Sequence, residues 1–199
     1  MSCPPTKRSG DYEIKGENMI LEKGRPLCDE GREDREKRTY DLLDGLKIEY
    51  DRVDHEPALT MEDCIEIDRA LGAPMCKNLF LCNRQQTDFY LLLMRGDKPF
   101  RTKELSAQLG TARLSFAGEE KMLEYLDIKP GAVSVMGLMN DREQSVQLLI
   151  DSELMQDEWL GCHPCVNTSS LRIKMKDVLD IFLPCVKHTP RIVELTGEA

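Results

Sequence analysis

The sequence predicts an α/β domain: a mixed β-sheet flanked by helices. Three observations point there. Asn78 to Cys82 and Phe89 to Met94 are short apolar runs joined by a polar stretch, as in paired strands around a loop. Tyr40, Leu43 and Leu46 recur at helical spacing. Strand-like and helix-like segments then alternate to the C-terminus without a regular repeat.

The elements read in order as follows. Residues 1–33 are rich in Pro, Gly and charge, with scattered apolar side chains, and read as a loose extension. The domain proper is expected over 34–199. A helix opens near Asp34 and ends at Gly45; Ile48 to Val53 alternates as a strand does. Thr60-Met-Glu-Asp63 has the capping-box form and predicts a helix to Leu71, closed at Gly72. Thr102 is placed to cap a short helix ended by Gly110. Gly118-Glu-Glu120 opens another, running to about Leu126 before Lys129-Pro130-Gly131 breaks the chain. Ala132–Met136, Val146–Ile150, Leu171–Met175 and Arg191–Leu195 read as strands. Lys176–Leu183 reads as an amphipathic helix.

Composition narrows the function. At 199 residues, 41% hydrophobic and 32% charged, the chain suits one soluble domain. No apolar run approaches the length of a membrane span, and no apolar stretch follows Lys7 and Arg8. The expectation is a cytoplasmic protein with no membrane partner and reduced cysteines. A formal net charge of −9 argues against bulk attraction to nucleic acid, and no DNA partner is expected. A local basic run, Arg95 to Lys103, is compatible with gripping one end of an RNA, and equally with a solvated turn.

Common catalytic signatures are absent: there is no Walker loop, G-x-G-x-x-G, G-x-S-x-G or H-E-x-x-H. With three histidines, His55, His163 and His188, a His-rich metal site is implausible. Cys162-His163-Pro164-Cys165 admits a redox pair, half a zinc site, or thiols flanking a functional His-Pro loop. Lys77, at the mouth of a strand, reads as a solvated gatekeeper or as a functional cation. Gly137-Leu-Met-Asn-Asp141 reads as a turn that also borders a pocket.

The ordered set of motifs is more specific than any member. It comprises Thr39-Tyr-Asp-Leu-Leu43, His55-Glu-Pro57, Cys76-Lys-Asn-Leu-Phe-Leu81, Gly96-Asp-Lys98, Arg113-Leu-Ser-Phe-Ala117, Pro130-Gly131, Gly137-Leu-Met-Asn-Asp141, Gly161-Cys-His-Pro164 and Asn167-Thr168. Over about residues 36–195 it resembles the YbaK/ProX superfamily of aminoacyl-tRNA editing domains, in the free-standing prolyl-tRNA synthetase-associated branch (PrdX/ProXp-ala). The resemblance implies a single compact domain with a curved mixed sheet. It implies an aminoacyl-tRNA hydrolase that removes a wrong amino acid, alanine, from tRNA(Pro) without metal or organic cofactor. The acceptor end of tRNA(Pro) is the implied partner, and prolyl-tRNA synthetase a further candidate. By resemblance, Lys77, His163 and Gly161 are the catalytic candidates. The ammonium would hold a terminal phosphate or the ester carbonyl, the Gly161 loop amides would face the carbonyl oxygen, and His163 would shape the pocket or orient water. Asn78, Gly131, Gly137, Pro164, Asn167 and Thr168 are the substrate-binding candidates.

A second sieve of this kind has a physical reason. A pocket built for proline admits the smaller alanine, and a missing methylene discriminates by only about 1–3 kcal/mol. Two departures from the family pattern bear on specificity: Val135 stands where many relatives have proline, and Met75-Cys76 where many have His-Thr. A hydrolytically silent relative that senses proline or charged tRNA is the rival reading.

Overall fold

Burial on both faces explains the apolar strand at the centre of the molecule. In the computed structural model, which describes residues 19–58 and 61–197, every residue of Phe89–Met94 is buried. Leu91 and Leu93 enter one hydrophobic core, while Tyr90, Leu92 and Met94 enter a second on the opposite face. A strand with no solvated face cannot alternate, so it reads as a continuous run.

The strands are β1 (Glu22–Lys23), β2 (Tyr50–Asp54), β3 (Lys77–Cys82), β4 (Phe89–Met94), β5 (Ser115–Phe116), β6 (Val146–Asp151), β7 (Trp159–Cys162), β8 (Ser169–Lys174) and β9 (Arg191–Val193). They form two sheets. One has the order β5-β3-β4-β6-β9, with β3 antiparallel to β4 and β5, and β4, β6 and β9 parallel. The other, β1-β2-β8-β7, is antiparallel throughout. The larger core lies between them and takes in Tyr40 and Leu43 of helix α1 (Asp34–Gly45) and Phe182 near the C-terminus. The smaller core is roofed by Leu105 of α3 (Thr102–Leu109). Helices α2 (Met61–Leu71) and α4 (Glu119–Leu126) complete the surround. A C-terminal segment runs from α5 (Met175–Asp177) through a π-turn into α6 (Leu183–Cys185).

Among the described residues, one isolated bridge links β7 to the segment that leads into β3. Met75 bridges Gly161 of β7, and the Cys76 N–H donates to the Gly161 carbonyl at 2.9 Å. A Cβ on Gly161 would lie 2.6 Å from the Pro74 oxygen and 3.0 Å from the Met75 Cα. Only glycine lets these two backbones touch.

The mixed α/β architecture is the one expected, with its strands divided over two sheets. Several local expectations differ. Ala132–Met136 is not a strand: Val135–Met139 forms a 3₁₀ turn capped by the Ser134 hydroxyl, which accepts from the Met136 N–H at 3.2 Å. Short apolar runs do not carry a decisive period. Trp159–Cys162 is a strand for which the sequence reading has no assignment. Arg101, not Thr102, caps α3, whereas Gly110 closes it in the left-handed conformation as expected. The capping residue proposed for α2, Thr60, lies outside the described residues.

The described part of the N-terminal extension is not loose. β1 pairs with β2, and the Gly24 N–H donates to the Tyr50 carbonyl at 2.8 Å. Arg32 joins Glu36 and Asp54, each at 2.5 Å, and buried Arg52 reaches back to Glu22. Low apolar content concealed this docking because ion pairs and backbone bonds make it.

Candidate functional site

The residues around His163 are brought together by strand register. β8 runs between β2 and β7, with Cys162 opposite Leu171, so the chain leaves β7 with His163 beside Ser170. On the other edge Asp54 pairs with Ser169, and the His55 N–H donates to the Thr168 carbonyl at 3.0 Å. Two of the three histidines therefore meet across β8, their ring centroids 6.2 Å apart. His188 is elsewhere, 3.1 Å from the buried carboxylate of Asp141.

A cavity of about 220 Å³ opens beside His163, lined also by Cys76, Asn78, Gly131 and Val133. β3 supplies one wall. Alternation along it places Asn78 on the same face as Cys76 and Phe80. The Asn78 amide nitrogen donates to the Cys76 carbonyl and to its sulfur, both at 3.1 Å. That carbonyl needs a donor, which fixes the amide orientation and leaves Oδ1 as the free acceptor. Oδ1 is buried and is the unpartnered buried polar side-chain atom among the described residues. Such an atom costs about 1–3 kcal/mol unless something binds it.

The opposite wall is backbone. Gly131 has φ +86°, and a Cβ there would stand 3.5 Å from the Asn167 amide nitrogen. Val133 supplies the apolar surface.

His163 has a defined proton arrangement. Its Nδ1 lies 2.9 Å from the Ser169 carbonyl, which can only accept, so Nδ1 carries the hydrogen. Nε2 is then a bare lone pair on a ring that lines the cavity. Burial, reinforced by nearby His55, pushes the imidazole pKa down to about 4. The ring is neutral at physiological pH and is available to accept a proton.

The other expected site residues are placed differently. Lys77 falls on the opposite face of β3, with Leu79 and Leu81, and its ammonium donates to the Lys98 carbonyl at 2.7 Å. Gly161 lies inside β7 with its carbonyl engaged by Cys76, so its visible role is to hold the wall residue Cys76 in place. Gly137 is packed in the 3₁₀ turn, where a Cβ would come within 2.5 Å of the Ile128 side chain; it does not line the cavity. Pro164 is buried behind His163, Asn167 borders Gly131, and Thr168 is exposed. Val135 is wholly buried in the main core, so the departure at that position does not touch the cavity, whereas the one at Cys76 does. Cys76 and Val133 were missed as wall residues. The Cys76-Asn78 spacing of two was the available signal.

The Cys162-x-x-Cys165 alternatives lose their basis. Both thiols are free and fully buried, and burial raises both pKa values, that of Cys165 to about 12. Reactive cysteines have the opposite surroundings. Cys28, by contrast, is disulfide-bonded, a departure from the expectation of a fully reduced chain. The basic run is also largely spent. Arg95 pairs with Asp157 at 3.0 Å, and Lys98 is buried against Asp151 at 2.6 Å and Glu153 at 3.1 Å. Arg101 and Lys103 remain exposed. A wider cleft along α1 alternates Arg32, Arg35, Lys37 and Arg38 with Glu33, Asp34, Asp41 and Asp127, and so offers no net charge.

The model of the family described as "Aminoacyl-tRNA editing domain" matches residues 55–181, from His55 through His163 and Ser170. The chain is 31% identical over 153 residues to the prolyl-tRNA editing protein ProX of Acetoanaerobium sticklandii, covering 77% of this chain and 93% of that one. It is 33% identical over 162 residues to the prolyl-tRNA synthetase associated domain-containing protein 1 of Danio rerio, covering 80% and 87%. A solved structure described as a candidate trans-editing enzyme for prolyl tRNA synthetase superposes with a TM-score of 0.61. It shares 15% identity and spans 82% of this chain and 98% of its own. At that identity the likeness concerns the fold. Among the described residues, no helix is long and apolar enough to cross a membrane.

Proposed function

Because the chain belongs to the aminoacyl-tRNA editing domain family, we propose that it is a hydrolase acting on mischarged tRNA(Pro), with alanine as the amino acid removed. The observation that carries this reading is the small cavity lined by a neutral histidine and by Asn78, whose buried amide oxygen has no partner among the described residues.

The chemistry asked of such a site is modest. The aminoacyl ester is already activated, so water suffices as nucleophile. His163 Nε2 accepts the proton of the attacking water, a contribution of about 10²–10⁴-fold for a well-placed base. Asn78 Oδ1 accepts from the α-ammonium of the aminoacyl group, which answers its missing partner. Gly131 presents backbone without a side chain, so the ester can lie close to it. Cys76 and Val133 bound the space left for the amino acid side chain and favour a small one. Lys77 lies across β3 from this chemistry, and its role is to hold a phosphate of the incoming RNA terminus, together with exposed Arg101 and Lys103. No step here calls on a metal or cofactor. Prolyl-tRNA synthetase is a natural donor of the substrate.

The test is direct. tRNA(Pro) charged with labelled alanine, serine, cysteine or proline is incubated with the protein, and loss of label is followed. Rapid loss of alanine with proline retained is the expected result. Equal loss of proline would remove the specificity claim. Loss of none, with charged tRNA still bound, would make the chain a binding module.

A further inference from the structure

The His55-Glu-Pro57 motif and Ser170 have no part in the chemistry above, yet both lie directly behind His163. The Ser170 hydroxyl is wholly buried, 2.9 Å from His55 Nε2 and 3.4 Å from His163 Nδ1. His55 Nδ1 lies 2.8 Å from the Glu56 carbonyl, which fixes the hydrogen on that nitrogen and leaves Nε2 as an acceptor. One arrangement of hydrogens satisfies all of these contacts. Ser170 donates to His55 Nε2, and its lone pair faces the His163 Nδ1–H, which it shares with the Ser169 carbonyl. The chain starts at the cavity, on a ring whose Nε2 has no protein partner among the described residues. It ends at His55, a half-buried residue that does not line the cavity.

We propose that His163, Ser170 and His55 form a proton relay that carries the proton released by ester hydrolysis from the cavity to the surface. The inference rests on the hydrolase reading. Hydrolysis of an aminoacyl ester at neutral pH yields a carboxylate and an alcohol, and therefore one proton. The relay accounts for it bond by bond. Water loses one proton to His163 Nε2 as its oxygen bonds to the ester carbon; when the ester C–O bond breaks, the departing alkoxide oxygen takes the water's other proton, which leaves a carboxylate and an alcohol. The His163 Nδ1–H passes its proton to the Ser170 oxygen, and the Ser170 O–H passes its own to His55 Nε2. His163 is left neutral with its hydrogen on Nε2, and His55 becomes the imidazolium, which gives a proton to solvent. His55 Nε2–H faces Ser170, so the hydrogen given up is the one on Nδ1; with no substrate in the cavity, His55 Nδ1 takes a proton back from solvent, the hops reverse and His163 Nε2 gives its hydrogen to water, which restores the starting tautomers. Burial holds the His55 pKa below its ordinary value, an effect that the Glu56 carbonyl and the charges of Asp54 and Glu56 partly offset. The same burial bears harder on His163. The proton therefore runs outward.

Two measurements test this. Imidazole nitrogen chemical shifts of protein labelled with ¹⁵N-histidine report tautomers with no substrate present. At pH 7 the expectation is hydrogen on Nδ1 for both His55 and His163. Hydrogen on Nε2 of His163 in the resting protein overturns the relay. The second is turnover of Ala-tRNA(Pro) by Ser170→Ala, which leaves the cavity wall untouched. The expected loss is about a hundredfold in kcat, the lower end for a proton-transfer group, with KM unchanged. Dependence of rate on solvent deuterium fraction should change from curved, with several protons in flight, to linear. An undiminished kcat overturns the proposal, as does a loss seen in KM alone. Should Ser170→Ala fail to fold, His55→Gln makes the same prediction. A wild-type protein that has these tautomers but hydrolyses no charged tRNA overturns the hydrolase reading. Opposite tautomers in a protein that hydrolyses normally overturn the relay alone.

Discussion

The two faces of β3 differ in what they leave unfinished. On one face the Lys77 ammonium has the Lys98 carbonyl, and Lys98 itself is held by Asp151 and Glu153. The polar groups there are answered within the protein. On the other face, Asn78 Oδ1 has no partner among the described residues, and His163, whose Nδ1 carries the hydrogen, lines a cavity. Adjacent residues of one strand thus belong to different environments, separated by a sheet. An unsatisfied buried acceptor is tolerated where a ligand completes it. On the function proposed above, the Asn78 face is the site of chemistry and the Lys77 face serves in support or in binding at a distance.

The comparison breaks most sharply at His163. His163→Ala should lower kcat/KM for Ala-tRNA(Pro) by about 10²–10⁴-fold, measured as enzyme-dependent loss of label above spontaneous hydrolysis. The pH profile sharpens it. The base must be neutral, and burial holds its pKa near 4 in the folded protein. Activity limited by His163 should therefore stay level from neutral pH down to about 5 and fall as pH drops through about 4. The same depression has a stability consequence. Unfolded histidine titrates near 6.5, so the unfolded state takes up a proton first. The contribution to stability is complete above that pH and is lost as pH falls from about 6.5 toward 4. A thermal midpoint that holds steady across this window in wild type, or falls equally in His163→Ala, would remove His163 as the cause.

Asn78 should separate function from folding. Asn78→Ala removes the free acceptor and should reduce kcat/KM by about ten- to a hundredfold, the worth of a hydrogen bond to a charged group at about 1.5–3 kcal/mol. The fold loses the amide hydrogen bonds to the Cys76 carbonyl and sulfur and sheds a buried unpartnered atom, effects of opposite sign. The thermal midpoint should move by only a few degrees. A large loss of stability with activity per folded molecule intact would make Asn78 a structural residue.

How much of this could be read beforehand follows from the kind of signal each part emits. The fully buried β4 and the amphipathic α1 show in apolar spacing, because burial dictates residue type at each position. β7 does not, because its key residue is a glycine chosen for a 2.6 Å approach to a backbone oxygen. Glycine in a strand looks like a loop until the partner backbone is known. The 3₁₀ turn at Val135–Met139 was likewise hidden in a run that suits a strand equally well. At the site, residue identities carried the resemblance, but the side of the sheet did not. Lys77 and Asn78 look like one motif in sequence, and the two-residue period of β3 sends them to opposite cores. The His55–Ser170–His163 contact depends on register across three strands and has no local signature at all.

Lys77 offers the mildest break and the most discriminating one. A cation that grips a phosphate across the strand from the reaction acts on binding. Lys77→Ala should therefore raise KM by about tenfold with kcat little changed, and KM should become less sensitive to salt as one ionic contact is lost. Lys77→Arg should recover part of the affinity, since charge at that edge matters more than shape. A collapse of kcat at saturating tRNA would mean that the ammonium leaves the Lys98 carbonyl and reaches the ester in the bound state. The two faces of β3 would then be joined by movement of the Arg95–Lys98 turn. That turn is held by Arg95–Asp157 and Lys98–Asp151, so such movement would have to break a buried ion pair. The cost of parting one is several kcal/mol, which is why the binding role is the expected outcome.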